Sequence, residues 1–120
     1  MRLLVLLLVA FPALAGDPAR GKEVVLSRGE GSCLLCHAVP GAIGRTAGDL
    51  GPSLAGIGSR MKADELRLRI ADASKFKPDT VMPPYGRVEA LHQVAPQYRG
   101  KPLLTPEEIE DAVAYLLTLR

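Results

Sequence analysis

Five consecutive residues, Cys33-Leu34-Leu35-Cys36-His37, use both cysteines of the chain and one of its two histidines. This C-x-x-C-H spacing constrains the fold more than any other feature. Two thiols three positions apart can each add to one vinyl group of a haem, and the adjacent imidazole is carried beneath the iron as its proximal ligand. Competing chemistries fit the pattern less well. A zinc site wants a second ligand pair, and the remaining histidine, His92, has no cysteine near it. A thioredoxin-type pair belongs to a strand-and-helix pattern that is not evident here. A Cys33–Cys36 disulfide closes too small a loop to stabilise much.

Composition points the same way. The chain has 120 residues, enough for one small domain and too few for a multidomain enzyme. Only 4% are aromatic, there is no Trp, and 12 Gly and 10 Pro make it loop-rich with a thin protein core. A large apolar cofactor at the centre makes good that shortfall. The net charge of +2 comes from intermixed signs without a basic block, which argues against nucleic acid as a partner.

Residues 1–15 read as a cleaved export leader. Arg2 opens it, Leu3 to Phe11 is apolar, and Ala13-Leu14-Ala15 offers a small-x-small cleavage site before Gly16. An apolar run of about 12 residues reaches roughly 18 Å, short of a ~30 Å hydrocarbon core, so no membrane span is expected after cleavage. The residue directly after the site is Gly16 and not a Cys that would carry a lipid anchor. Residues 16–120 are then a single domain in the periplasm, with the formal charge lower by the loss of Arg2.

Periodicity predicts an all-α domain. Asp17 caps a helix that starts at Pro18 and runs through Ala19 to Ser27, broken by Gly29-Glu30-Gly31. A second spans about Lys62 to Asp72, with Leu66 and Ile70 on one face and Asp64 and Glu65 at the positive end of its dipole. The last begins at Thr105, which forms a capping box with Glu108, has Pro106 in first place and Leu104 as a staple onto Ile109, and buries Ile109, Ala112, Val113, Leu116 and Leu117. The Pro- and Gly-rich segments 38–60 and 77–105 are long for a small domain unless they wrap the cofactor.

The sixth iron position separates electron transfer from ligand chemistry. Met82, in Thr80-Val81-Met82-Pro83-Pro84-Tyr85, sits on a loop stiffened by proline and is the leading candidate. Met61 reads as core filler, His92 as a solvated loop residue, and an open position suited to a gas sensor is the further alternative. His and Met together leave no room for substrate on the iron and raise its potential, which suits one-electron transfer. In Gly51-Pro52-Ser53-Leu54 the Pro52 carbonyl is the candidate acceptor for the other ring N–H of His37, unless the pair is an ordinary turn.

The order C-x-x-C-H, Gly-Pro-x-Leu, Met-Pro and a capped final helix resembles class I cytochrome c over nearly all of residues 16–120. The resemblance implies a small domain of three or more helices and long loops wrapped around one covalent haem c. It also implies crossed first and last helices meeting at Gly21, Val25 and Tyr115. Extra residues before Cys33 and the long stretch from Met82 to Thr105 depart from that pattern and resemble the SoxX family instead. The runs that carry this likeness are Ser32 to Pro40, Gly51 to Arg60, Met82 to Tyr85, and Val94-Ala95-Pro96 through Gly100-Lys101-Pro102 to Leu116.

That likeness implies a monohaem subunit in a heterodimer with a SoxA-like cytochrome. The complex is an L-cysteine S-thiosulfotransferase that joins thiosulfate oxidatively to a cysteine of the SoxYZ carrier, and this chain accepts the electrons and passes them to a downstream acceptor. With Cys33 and Cys36 on haem, no thiol remains here for sulfur chemistry, so no catalytic residue is expected in the chain itself. A free-standing electron shuttle is the alternative. The segment Val88 to Leu103, with Val88, Leu91, Val94, Tyr98 and Leu103, supplies either a partner patch or a cover for the haem edge.

Overall fold

The computed structural model describes residues 15–27, 29, 31–42 and 46–120. The expected leader, apart from Ala15, and Glu30 of the first helix break lie outside the described residues. Four helices follow in order: α1 (Pro18–Leu26), α2 (Ile57–Arg60), α3 (Ala63–Asp72) and α4 (Pro106–Leu116), with 3-10 turns at Cys33–Leu35, Ala73–Lys75 and Pro96–Tyr98. Among the described residues there is no strand, as an all-α fold requires. None of their helices is long and apolar enough to cross a membrane.

Local chemistry sets the helix ends. The Asp17 carboxylate accepts the backbone N–H groups of Ala19 at 2.8 Å and Arg20 at 3.2 Å, satisfying donors that the first turn of α1 leaves free. At α4, Glu108 donates its backbone N–H to Thr105 Oγ1 at 3.2 Å while its carboxylate accepts the Thr105 N–H at 2.7 Å, completing the capping box. Leu104 and Ile109 are both buried in the same core cluster, as a staple requires. Observed α1 ends at Leu26, with Ser27 as its C-cap, and α3 starts at Ala63, with Lys62 as its N-cap. The short α2 was not expected.

The main packing unit is the crossing of α1 on α4. A Cβ on Gly21 would stand 1.8 Å from the Asp111 carbonyl oxygen and 2.9 Å from Tyr115 Cβ, so only glycine permits this approach. Val25 and Tyr115 are buried there too. The crossing is pinned by Asp111, a buried carboxylate that accepts the Asp17 N–H at 2.6 Å and two guanidinium N–H groups of Arg20 at 2.9 and 3.2 Å. These donors hold its carboxyl below the usual range, with the Arg20 side chain the largest cause. A half-exposed pair, Arg67 with Glu110, ties α3 to α4.

Candidate haem cleft

The helices close around a cleft of about 410 Å³. Apolar side chains of every helix line it, including Val25 of α1, Ile57 of α2, Leu66 and Ile70 of α3, and Leu116 of α4. Cys33, Cys36, His37, Met61 and Met82 also line it. The sequence therefore brings both thiols, one imidazole and two thioethers to a single apolar cavity. His92 is elsewhere, in a smaller groove with Pro84, Arg87, Leu91, Tyr98 and Lys101, so the bis-histidine alternative finds no geometry.

The motif is shaped by its own backbone. Its 3-10 turn closes with Cys36 N–H to Cys33 O at 3.1 Å and His37 N–H to Cys33 O at 2.9 Å, holding the two thiols and the ring on one compact turn. Both thiols are free. Burial pushes the Cys33 thiol up to about 11, so its wall disfavours a thiolate.

The loop beyond Gly48 binds that turn by three backbone bonds: Gly48 N–H to Leu34 O at 2.8 Å, Gly51 N–H to Cys36 O at 2.7 Å and Leu54 N–H to Ala38 O at 2.9 Å. Pro52 is thereby placed with its carbonyl oxygen 2.6 Å from His37 Nδ1. A carbonyl can only accept, so Nδ1 carries the proton and Nε2 is left as the donor to a metal. The opposite possibility for Gly-Pro, a turn without a role, is thus set aside by geometry. Two contributions were not anticipated. Gly51 lies against the ring, where a Cβ would come within 2.5 Å of His37 Cε1. Arg60 props the same loop by donating to the Ala55 carbonyl at 2.5 Å and the Ser53 carbonyl at 3.4 Å. The glycine was visible within Gly-Pro-x-Leu; nothing local marked the arginine.

On the methionine side, Met82 donates its backbone N–H to Thr80 Oγ1 at 3.2 Å, and Pro83 follows. Tyr85 is buried beside it, also unanticipated, with its phenol pushed up to about 12 by burial first of all. Arg69 reaches the cleft wall, paired with Glu65 at 3.1 Å and stacked 4.3 Å from the centre of the Phe76 ring. The expectation that all of 77–105 wraps the cofactor is corrected here. Lys77, Asp79 to Pro83, Tyr85 and Leu104 line the cleft, whereas no cleft-lining residue comes from 88–103.

The donor set fits a covalently attached haem: two thiols for thioether bonds, an oriented imidazole, a thioether and a largely apolar wall. A family model described as cytochrome c matches residues 18–120. The chain belongs to the cytochrome c family. Its cofactor is accordingly haem c, with iron. A solved chain described as SoxXA from P. pantotrophus is 30% identical to this cytochrome with a TM-score of 0.79, over 89% of this chain and 84% of that one. The c-type cytochrome SorU from Sinorhizobium meliloti is 25% identical with a TM-score of 0.55, over 85% of this chain and 88% of that one. Within its family this cytochrome is therefore SoxX-like and of class I. No curated protein matches it significantly.

Proposed function

We propose that this cytochrome is the electron-accepting subunit of a SoxAX-type thiosulfate-oxidising complex, exported to the periplasm by a leader in residues 1–15. The likeness to a SoxXA chain over most of both chains carries this reading. In the proposed reaction a carrier thiol of SoxYZ and thiosulfate form a sulfur–sulfur bond, releasing a proton and two electrons, which this cytochrome takes one at a time and passes to a downstream acceptor. When bound, haem c supplies one-electron redox chemistry at iron. Cys33 and Cys36 attach it, His37 Nε2 and the Met82 thioether ligate it, and Pro52 keeps the imidazole turned and polarised through Nδ1. Met61 lines the same cleft and packs on the core as Met82 does; Met82 is preferred because Pro83 and Pro84 stiffen its loop.

The chain has 2 cysteines, both in the haem motif, so the sulfur intermediate belongs on a partner. The cleft rim favours a bound partner. Leu35, between the two thiols but not among the residues that line the cleft, is 70% exposed. An apolar side chain left this open beside a redox centre suits a surface covered by the SoxA-like subunit.

The test is to mix purified holoprotein with thiosulfate and a SoxYZ-type carrier, with and without the SoxA-like subunit, and follow haem reduction. Reduction at a catalytic rate only with that subunit is expected. Equal reduction without it overturns the subunit reading in favour of a free shuttle. Met82→Ala is expected to abolish the sulfur-to-iron absorption band and lower the potential, while His92→Ala leaves both unchanged. A band that persists in Met82→Ala overturns the ligand assignment.

A further inference from the structure

Tyr85 is bonded to three pieces of chain that are far apart in sequence. Its hydroxyl donates to the Gly31 carbonyl at 2.5 Å in a buried bond. Its N–H donates to Ile70 O of α3 at 3.2 Å, and its own carbonyl accepts the Leu104 N–H at 3.0 Å, at the approach to α4. Gly86 doubles the anchor on α3 with a bond to Ala71 O at 3.0 Å.

The position of these bonds matters more than their number. Gly31 is two residues ahead of Cys33, and a Cβ there would lie 3.3 Å from Cys33 Sγ and 2.5 Å from the Val24 carbonyl oxygen. Gly31 is thus wedged between α1 and the first attachment thiol. At the other end, only Pro83 and Pro84 separate Tyr85 from Met82, and two prolines fix two backbone torsions. A displacement of Tyr85 passes to Met82 with little slack. The phenol bond therefore spans the gap between the loop holding Met82 and the turn holding Cys33, Cys36 and His37.

We infer that Tyr85 is a positioning residue whose hydroxyl, by tying the Met82 loop to Gly31, sets how firmly the Met82 thioether is held on the iron. This rests on the ligand assignment above. Phenylalanine at position 85 keeps the ring and its packing but strands a buried carbonyl and frees the loop. A looser thioether competes less well with other ligands and stabilises ferrous iron less, so the potential falls.

The experiment uses holoprotein, with two readouts: reduction potential, and the imidazole concentration that removes the sulfur-to-iron band of the ferric form. Tyr85→Phe is expected to retain the band, to lose it at about tenfold lower imidazole, and to have a lower potential. Tyr115→Phe is the control, because its hydroxyl reaches the Pro40 carbonyl at 3.4 Å and bonds neither loop nor motif at Gly31. It is expected to leave both readouts unchanged. Fluorotyrosine placed at position 85, a change too small to unfold the chain, strengthens the donor and is expected to move both readouts the other way. Unchanged potential and imidazole affinity in Tyr85→Phe, or in the fluorotyrosine protein, overturn the inference alone. Persistence of the band in Met82→Ala overturns the ligand assignment and this inference with it.

Discussion

Two loop segments of this cytochrome look alike as sequence and behave differently as structure. The segment after Gly48 and the segment 88–103 both carry Gly and Pro among polar and apolar residues. The first is bonded across to Leu34, Cys36 and Ala38 and presents Pro52 to His37. The second bonds mainly within itself, through Tyr98 N–H to Ala95 O at 2.9 Å, Arg99 N–H to Pro96 O at 3.4 Å and Lys101 N–H to Tyr98 O at 3.1 Å. Its ends are held, at Tyr85 with Leu104 and at Arg87 facing Asp72 3.5 Å away, but its middle does not reach the cleft. Loop composition therefore does not reveal which loop serves a cofactor; the partners of its backbone groups do.

The sharpest break of this comparison is Gly51→Ala. The added Cβ meets His37 at 2.5 Å from Cε1 and 2.8 Å from Nδ1, and the ring cannot retreat without losing the Pro52 carbonyl. Overpacking at such a site costs about 3 kcal/mol. The expected outcome is a severe fall in haem-loaded protein, with the remainder losing low-spin character, measured by haem content and absorption. Normal loading would mean that the Gly48–Leu54 wall is softer than its backbone bonds indicate.

A smaller effect separates the base of the second segment from the cleft. Asp72 is buried at the end of α3 and accepts the Ser74 hydroxyl at 2.5 Å and the Ser74 N–H at 3.1 Å, with Arg87 opposite. The Ser74 hydroxyl is the largest cause of a carboxyl held below its usual range; burial opposes it, and the Ser74 N–H, Arg87 and Lys75 add to the lowering. A lowered folded-state value gives stability that is complete above the unfolded carboxylate range and is lost as pH falls through the folded value. Wild type is thus expected to exceed Asp72→Asn in urea resistance above about pH 5 and to converge with it in acid. The sulfur-to-iron band should be the same in both proteins at neutral pH.

Much of this architecture was legible because its determinants are local. Asp17 and Thr105 cap helices through residues two or three positions away, and the haem motif is contiguous. Pro52 was legible because a ligating imidazole needs an acceptor and Gly-Pro offered one. What stayed hidden joins distant parts of the chain. Asp111 sits in an acidic stretch, Glu107-Glu108-Ile109-Glu110-Asp111, that resembles a solvated helix face, yet it is buried on the start of α1. Tyr85 reads as one more aromatic after Met-Pro-Pro, and its bond to Gly31 crosses 54 positions. The expectation that all of 77–105 wraps the cofactor failed at 88–103 for the related reason that a long loop can satisfy its own backbone without wrapping anything.

The mildest probe lies inside that second segment. Gly100 has φ +71 and nothing within 4 Å of a built Cβ, so Gly100→Ala meets no clash and pays only the left-handed backbone strain, about 1 kcal/mol. Ala90 and Gln93 already stand at φ 52 and 55 without glycine's freedom, so Ala90→Gly is expected to act oppositely and raise stability by about 1 kcal/mol. Neither change should move the reduction potential, because the turn from Ala95 to Lys101 closes on its own carbonyls and contributes no side chain to the cleft. Denaturant midpoints measured beside equilibrium redox titrations check both halves of the statement. Opposite shifts in midpoint at constant potential would confirm two mechanically separate loops. A potential that followed the midpoint would mean that strain in 88–103 travels through Leu104 and Tyr85 to Met82, and the contrast between the segments would then be one of distance from the iron and not of isolation from it.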